Sequence, residues 1–72
     1  MTRQTTRLEV VADGEKWAVR EHGIGRLTSH ADKLRATKAA RAVAANHPPC
    51  ELTIRNDDGT IESQETFHSP VK

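Results

Sequence analysis

The chain is poor in the residues that cross-linking, stacking and most site chemistry require. Cys50 is the only cysteine among 72 residues, so neither an internal disulfide nor a cysteine-based zinc site can form. Next to a strand, a lone cysteine reads as a small buried hydrophobe. Tyrosine is absent, and Trp17 and Phe67 are the only aromatics, which leaves little with which to stack the bases of a nucleic acid. No apolar run approaches the roughly 18 residues of a membrane span. The opening segment, Met1-Thr2-Arg3-Gln4-Thr5-Thr6-Arg7, lacks the apolar stretch of a signal peptide. The expectation is a cytoplasmic protein that neither spans nor binds a membrane. Glycine is sparse too: Gly23-Ile24-Gly25 lacks the further glycine and helix start of a dinucleotide fingerprint.

Seventy-two residues suffice for one domain with one small core, in the size range where folding is marginal and association often helps. The net charge of +1 is unevenly spread: nine Lys/Arg stand against five acids up to His47, and two against five after it. A balanced total argues against strong salt-driven binding to nucleic acid, while the polarised distribution still permits a basic patch.

What is present is a pattern of two Asp-Gly turns around one alanine-rich stretch. Asp-Gly favours a two-residue type I′ turn, because both central positions need a positive φ. With Asp13 and Gly14 as the loop, Ala12 faces Glu15, Val11 faces Lys16, Val10 faces Trp17 and Leu8 faces Val19, placing Leu8, Val10, Trp17 and Val19 on one sheet face. After the glycine-rich turn at His22-Gly23-Ile24-Gly25, a third strand returns with Leu27 beside Val19 and Thr28 on the polar face. Asp32 is a suitable N-cap for a helix over residues 33–47, though Arg35 stands where a capping box would have Glu or Gln. A helical projection puts Ala36, Ala39, Ala40, Val43 and His47 on the inner side with Ala44 at its margin. Pro48-Pro49 ends the helix.

In the last hairpin Leu52 and Ile54 point inward. Ile61 joins them only if the loop has an even number of residues, either Asp58-Gly59 or the four from Asn56. The expected core is Leu8, Val10, Trp17, Val19, Leu27, Ala36, Ala40, Val43, Leu52, Ile54 and Ile61. The fold class is therefore α+β: a single antiparallel sheet, in the order β-β-β-α-β-β along the chain, packed on one helix. Residues 1–7 are expected to be flexible, 8–67 to form the domain and 68–72 to be a tail.

Trp17-Ala18-Val19, the 36–44 helix, Glu51-Leu52-Thr53-Ile54 and Asp58-Gly59-Thr60-Ile61 together resemble the small prokaryotic and phage-borne family known as domain of unknown function 2188. The likeness spans residues 8–67. It departs at the cap and first helical turn, where Asp32 and Arg35 replace the usual Thr and acid, and at the shortened His68-Ser69-Pro70 tail. The resemblance implies the same element order and no activity.

The residues themselves point to no catalytic site. His22, His30, His47 and His68 lie 8, 17 and 21 positions apart, a spacing that fits no local metal motif. Adjacent Asp57 and Asp58 are explained by a turn, and Pro48-Pro49 separates Cys50 from His47. We therefore expect no enzyme activity, no metal, no cofactor and no small-molecule substrate. Two surfaces remain. The helix has no acid and presents Arg35, Lys38 and Arg41, a candidate phosphate-contacting patch. The sheet offers open edges and a polar face carrying Lys16, Arg20, Arg26 and Arg55, suited to a protein partner or a homodimer mate. Protein binding, self-association included, is the leading expectation; the alternative is a nucleic-acid accessory role through the basic helix.

Overall fold

The computed structural model describes residues 5–68. Along the chain come β1 (Thr6–Asp13), β2 (Lys16–Glu21), β3 (Gly25–His30), α1 (Lys33–Asn46), β4 (Cys50–Arg55) and β5 (Ile61–Phe67). The element order is the expected one, and five strands form one sheet ordered β3-β2-β1-β4-β5. That sheet is mixed, however, and not purely antiparallel: β4 runs parallel to β1, whereas the β1–β2, β2–β3 and β4–β5 pairs are antiparallel.

The parallel pair follows from the helix. A 14-residue helix spans about 21 Å, enough to carry the chain back along a six-residue strand of about 20 Å. The next strand then starts from the same end as β3 and runs in its direction. It settles on the free side of β1, which thereby becomes the central strand.

The first hairpin turns one residue later than expected. Asp13 pairs with Lys16, Ala12 with Trp17 and Val10 with Val19, so Gly14 and Glu15 form the loop. Gly14 has φ +64, and among the described residues only glycines have positive φ. A turn with positive φ at its first central position alone is the type II′ requirement, and it leaves Asp13 extended in the strand. The pairing moves by two positions, which preserves the faces. Leu8, Val10 and Val19 are accordingly buried together.

Two strands carry an extra residue that changes which side chains reach the core. Between the Val19↔Thr28 and Arg20↔Arg26 pairs of β2 and β3, Leu27 is unpaired, and it is 37% exposed. Thr28 takes the place beside Val19 expected for Leu27, and so does not belong to the outer polar face. In β5 the connection from β4 has five residues, 56–60, the odd length that turns Ile61 away. Ile61 opposes Arg55 and is 51% exposed, so it too leaves the expected core. The loop is held by Asn56 N–H donating to Thr60 O (2.7 Å) and Gly59 N–H to Asn56 O (3.0 Å). The Asp58 carboxylate accepts from Thr60 N (3.0 Å) and Oγ1 (2.6 Å), contacts that lower its pKa.

Asp32 caps α1, its carboxylate accepting from Arg35 N at 2.8 Å. The buried face of α1 follows the row Ala36, Ala40, Ala44 with Thr37 beside it, an i, i+4 ridge. Ala44 is thus central, Val43 and Ala39 only pack at the margin, and His47, expected on the inner side, is exposed. Three alanines stand against Leu8, Val10, Val19, Cys50, Leu52 and Ile54, and side chains that small let a helix approach a sheet closely. Trp17 and Phe67 are partly buried at the core's edges. At the start of the sheet Thr6 N–H donates to Pro49 O (3.0 Å) and Thr6 pairs with Cys50. Thr6 and Arg7 are therefore strand residues, ahead of the expected domain limit at residue 8. The remainder of the expected flexible N-terminus up to Gln4, and the tail beyond His68, lie outside the described residues.

Candidate functional site

The helix contacts β1, β2, β4 and β3 but scarcely β5, so it covers one face of the sheet and stops short of the β5 edge. The gap is bridged by ion pairs. Arg41 grips Glu65 in bidentate fashion, Nε–Oε1 3.1 Å and Nη2–Oε2 2.6 Å, which raises the guanidinium pKa further. Lys33 pairs with Glu62, reaches Asn56 Oδ1 at 3.4 Å and lies 5.5 Å above the Trp17 ring. Of the three residues in the expected helix patch, Arg41 is thus engaged by β5, and Arg35 Nε lies 3.6 Å from Asp32. Lys38 is exposed and makes no ion pair among the described residues. These partners lie 24 and 29 residues away for Arg41 and Lys33, so no local pattern could reveal them.

The opposite face of the sheet has no element over it among the described residues, and it gathers the four expected cations. Arg26 stands directly across from Arg20, and Arg20 from Glu9. The Glu9 carboxylate does not serve Arg20, because Arg55 takes it through Nε (3.3 Å) and Nη2 (3.1 Å). Arg55 Nη1 also donates to Gly59 O at 2.9 Å, which ties this cation to the turn. Arg26 reaches Asp13 at 2.8 Å. Since Arg26 is level with Arg20 and Asp13 with Lys16, that ion pair crosses β2 over Ala18. This accounts for Ala18 being only 1% exposed on an otherwise open face. Arg7 and Glu51 lie 3.6 Å apart. Arg20 and Lys16 are left without an ion pair among the described residues, and the Arg20↔Arg26 juxtaposition is a like-charge pair of the kind that destabilises a sheet.

Cys50 is fully buried. Burial, then the charges of Glu21 and Glu51, push its thiol pKa up, which keeps it protonated and unreactive. Labelling of the native protein at pH 8 with a thiol reagent is expected to be at least about 100-fold slower than in denaturant, since it waits on opening of the core. Equal rates would place Cys50 at the surface. His22, His47 and His68 are exposed, and the half-buried His30 shares a hydrogen bond of 2.8 Å with Thr28 Oγ1. Among the described residues no three His, Cys, Asp or Glu side chains converge, and no helix is long and apolar enough to cross a membrane. An open notch of about 520 Å³ lies at the sheet end between Thr6, Arg7, Glu21, His22 and Ile24.

A single five-stranded mixed sheet under one helix, with no element over its other face among the described residues, defines the class: a small α+β domain. The chain belongs to the family described as "Uncharacterized protein conserved in bacteria (DUF2188)", which matches residues 8–67. Searches of curated proteins and of solved structures found no match.

Proposed function

We propose that this domain is a non-catalytic binding or regulatory module that works by protein association, self-association included, in the cytoplasm. The observation that supports this reading best is the outer face of the sheet, which among the described residues has no element over it and carries charged side chains instead of the apolar layer that a second helix would need. The edges are less inviting. Both edge strands carry a bulge, at Leu27 and at Glu62, and Glu65 points to the helix side; bulges and inward charges discourage strand addition. The face is therefore the better binding surface. Contact of nucleic-acid phosphates through Arg35, Lys38 and Arg41 is the weaker alternative, because Glu65 and Asp32 already occupy two of the three.

Light scattering over a concentration series, at low and high salt, tests the reading. A mean mass rising above the 8.0 kDa monomer supports it, and a strict monomer under every condition removes self-association. If the helix alternative held, changing Arg35, Lys38 and Arg41 together to Ala would weaken oligonucleotide binding and flatten its salt dependence.

A further inference from the structure

Among the described residues the cations Lys16, Arg20 and Lys38 and the acids Glu15, Glu21, Asp57 and Asp58 make no ion pair, and two of these groups, of opposite sign, lie far apart in the sheet. On β2 and β3 the outer face keeps Arg20 and Lys16 unpaired, with Arg26 beside Arg20. Across the molecule, the loop joining β4 to β5 presents Asp57 and Asp58 at an exposed tip. Asp58 is occupied by Thr60, whereas Asp57 makes neither a side-chain hydrogen bond nor an ion pair among the described residues. β1 and β4 lie between β2 and β5 in the sheet, and Arg20 is level with Glu9, toward the start of β1. The tip follows Arg55 at the other end of the sheet, past the Val10↔Ile54 pair and about level with the turn that joins β1 to β2. Arg20 and Asp57 make no contact within one molecule.

We infer that the outer face around Arg20, flanked by Arg26 and Lys16, is a docking surface for the Asp57–Asp58 tip of a second copy of this chain. This rests on the association reading above and assigns it a surface and a mate. Three features favour this occupant. Asp57, an acid without an ion pair among the described residues, is on the same chain, and so is always present at the protein's own concentration. The tip is exposed at the end of the sheet, so it is free to meet a second molecule. An acid placed at Arg20 also supplies the ion-pair partner that the molecule itself does not, because Asp13 is taken by Arg26 and Glu9 by Arg55. Basic face and acidic tip are different patches, so the contact is heterologous: each copy donates a tip to one neighbour and a face to another. Association of this kind gains from steering and is weakened by salt.

The test uses the full chain and two exposed substitutions, Arg20→Glu and Asp57→Lys, with circular dichroism confirming the fold of each. The wild type is expected to associate near 20 mM salt and to revert toward monomer near 500 mM, where screening shortens to a few ångströms. Each variant alone is expected to lose at least about tenfold in association constant, because every contact now joins like charges. An equimolar mixture is expected to recover association, since each variant's tip again opposes a face of the other sign. Arg20→Lys should behave as wild type. If the wild type associates and both single variants associate equally well, the docking surface assigned here is wrong while the association reading stands. If the wild type is monomeric throughout, the reading itself falls. A monomer that binds an oligonucleotide through Arg20 would overturn the inference in favour of a phosphate partner.

Discussion

Truncating Leu52 to Ala is expected to cost about 2–5 kcal/mol of folding stability, whereas the same truncation at Ile61 is expected to cost under about 1 kcal/mol. Leu52 is fully buried in β4, between β1 and β5 and beneath the helix. Its removal leaves a cavity that neighbours on three sides cannot collapse to fill. Ile61 is half exposed, so water already surrounds much of what would be removed. At about 0.05–0.15 kcal/mol per residue, a domain of this length holds only about 4–11 kcal/mol in all. Leu52→Ala therefore removes a large share of it and should leave a readily measured unfolded fraction. Urea denaturation followed by Trp17 fluorescence or by circular dichroism reads both values. Equal costs at the two positions would mean that Ile61 lies in the core, with an even loop before it, and would contradict the register described here.

The second large effect is expected from enlarging the helix at its contact with the sheet. Ala40 is fully buried at the middle of the Ala36, Ala40, Ala44 row. A leucine there must push the helix off the sheet or displace side chains from their rotamers, costing about 1–3 kcal/mol or more. Ala42 is exposed on the same helix. Leucine at that position meets solvent and should cost no more than a few tenths of a kcal/mol, the small propensity difference between the two residues. Paired melting curves for Ala40→Leu and Ala42→Leu give the comparison. Similar midpoints for the two would mean that the helix packs through another face, such as the Val43 side.

These contrasts also show where local pattern sufficed. Strand and helix order, the Asp32 cap, the burial of Leu8, Val10, Val19, Leu52 and Ile54 and the burial of Cys50 are all legible in residue order, because side-chain alternation and capping act within a few residues. The inner row of the helix was nearly legible: the projection set Ala44 at the margin and His47 inside. With small alanines alone on that side, only the sheet determines which of them lie deepest.

The loss of Leu27 and Ile61 from the expected core has a different origin. A single extra residue in a strand, or an odd residue in a turn, reverses every side chain beyond it. Whether the chain inserts one depends on hydrogen bonds between strands and within the loop, such as those that close 56–60. Among the candidate contact residues, Arg35, Lys38 and Arg41 are each exposed on the helix. That Arg41 is consumed by Glu65, and that Arg55 takes Glu9 away from Arg20, depends on strands distant in sequence.

By itself, the amino-acid order determined the inventory of elements, their polarity and most of the buried layer, since these arise from neighbours within a turn of helix or a pair of strands. Only the tertiary structure decided that β4 joins β1 in parallel, that two bulges turn Leu27 and Ile61 outward, and which cations remain unpaired. Each of those outcomes depends on which distant strands meet and on which carboxylate a guanidinium can reach once they have met.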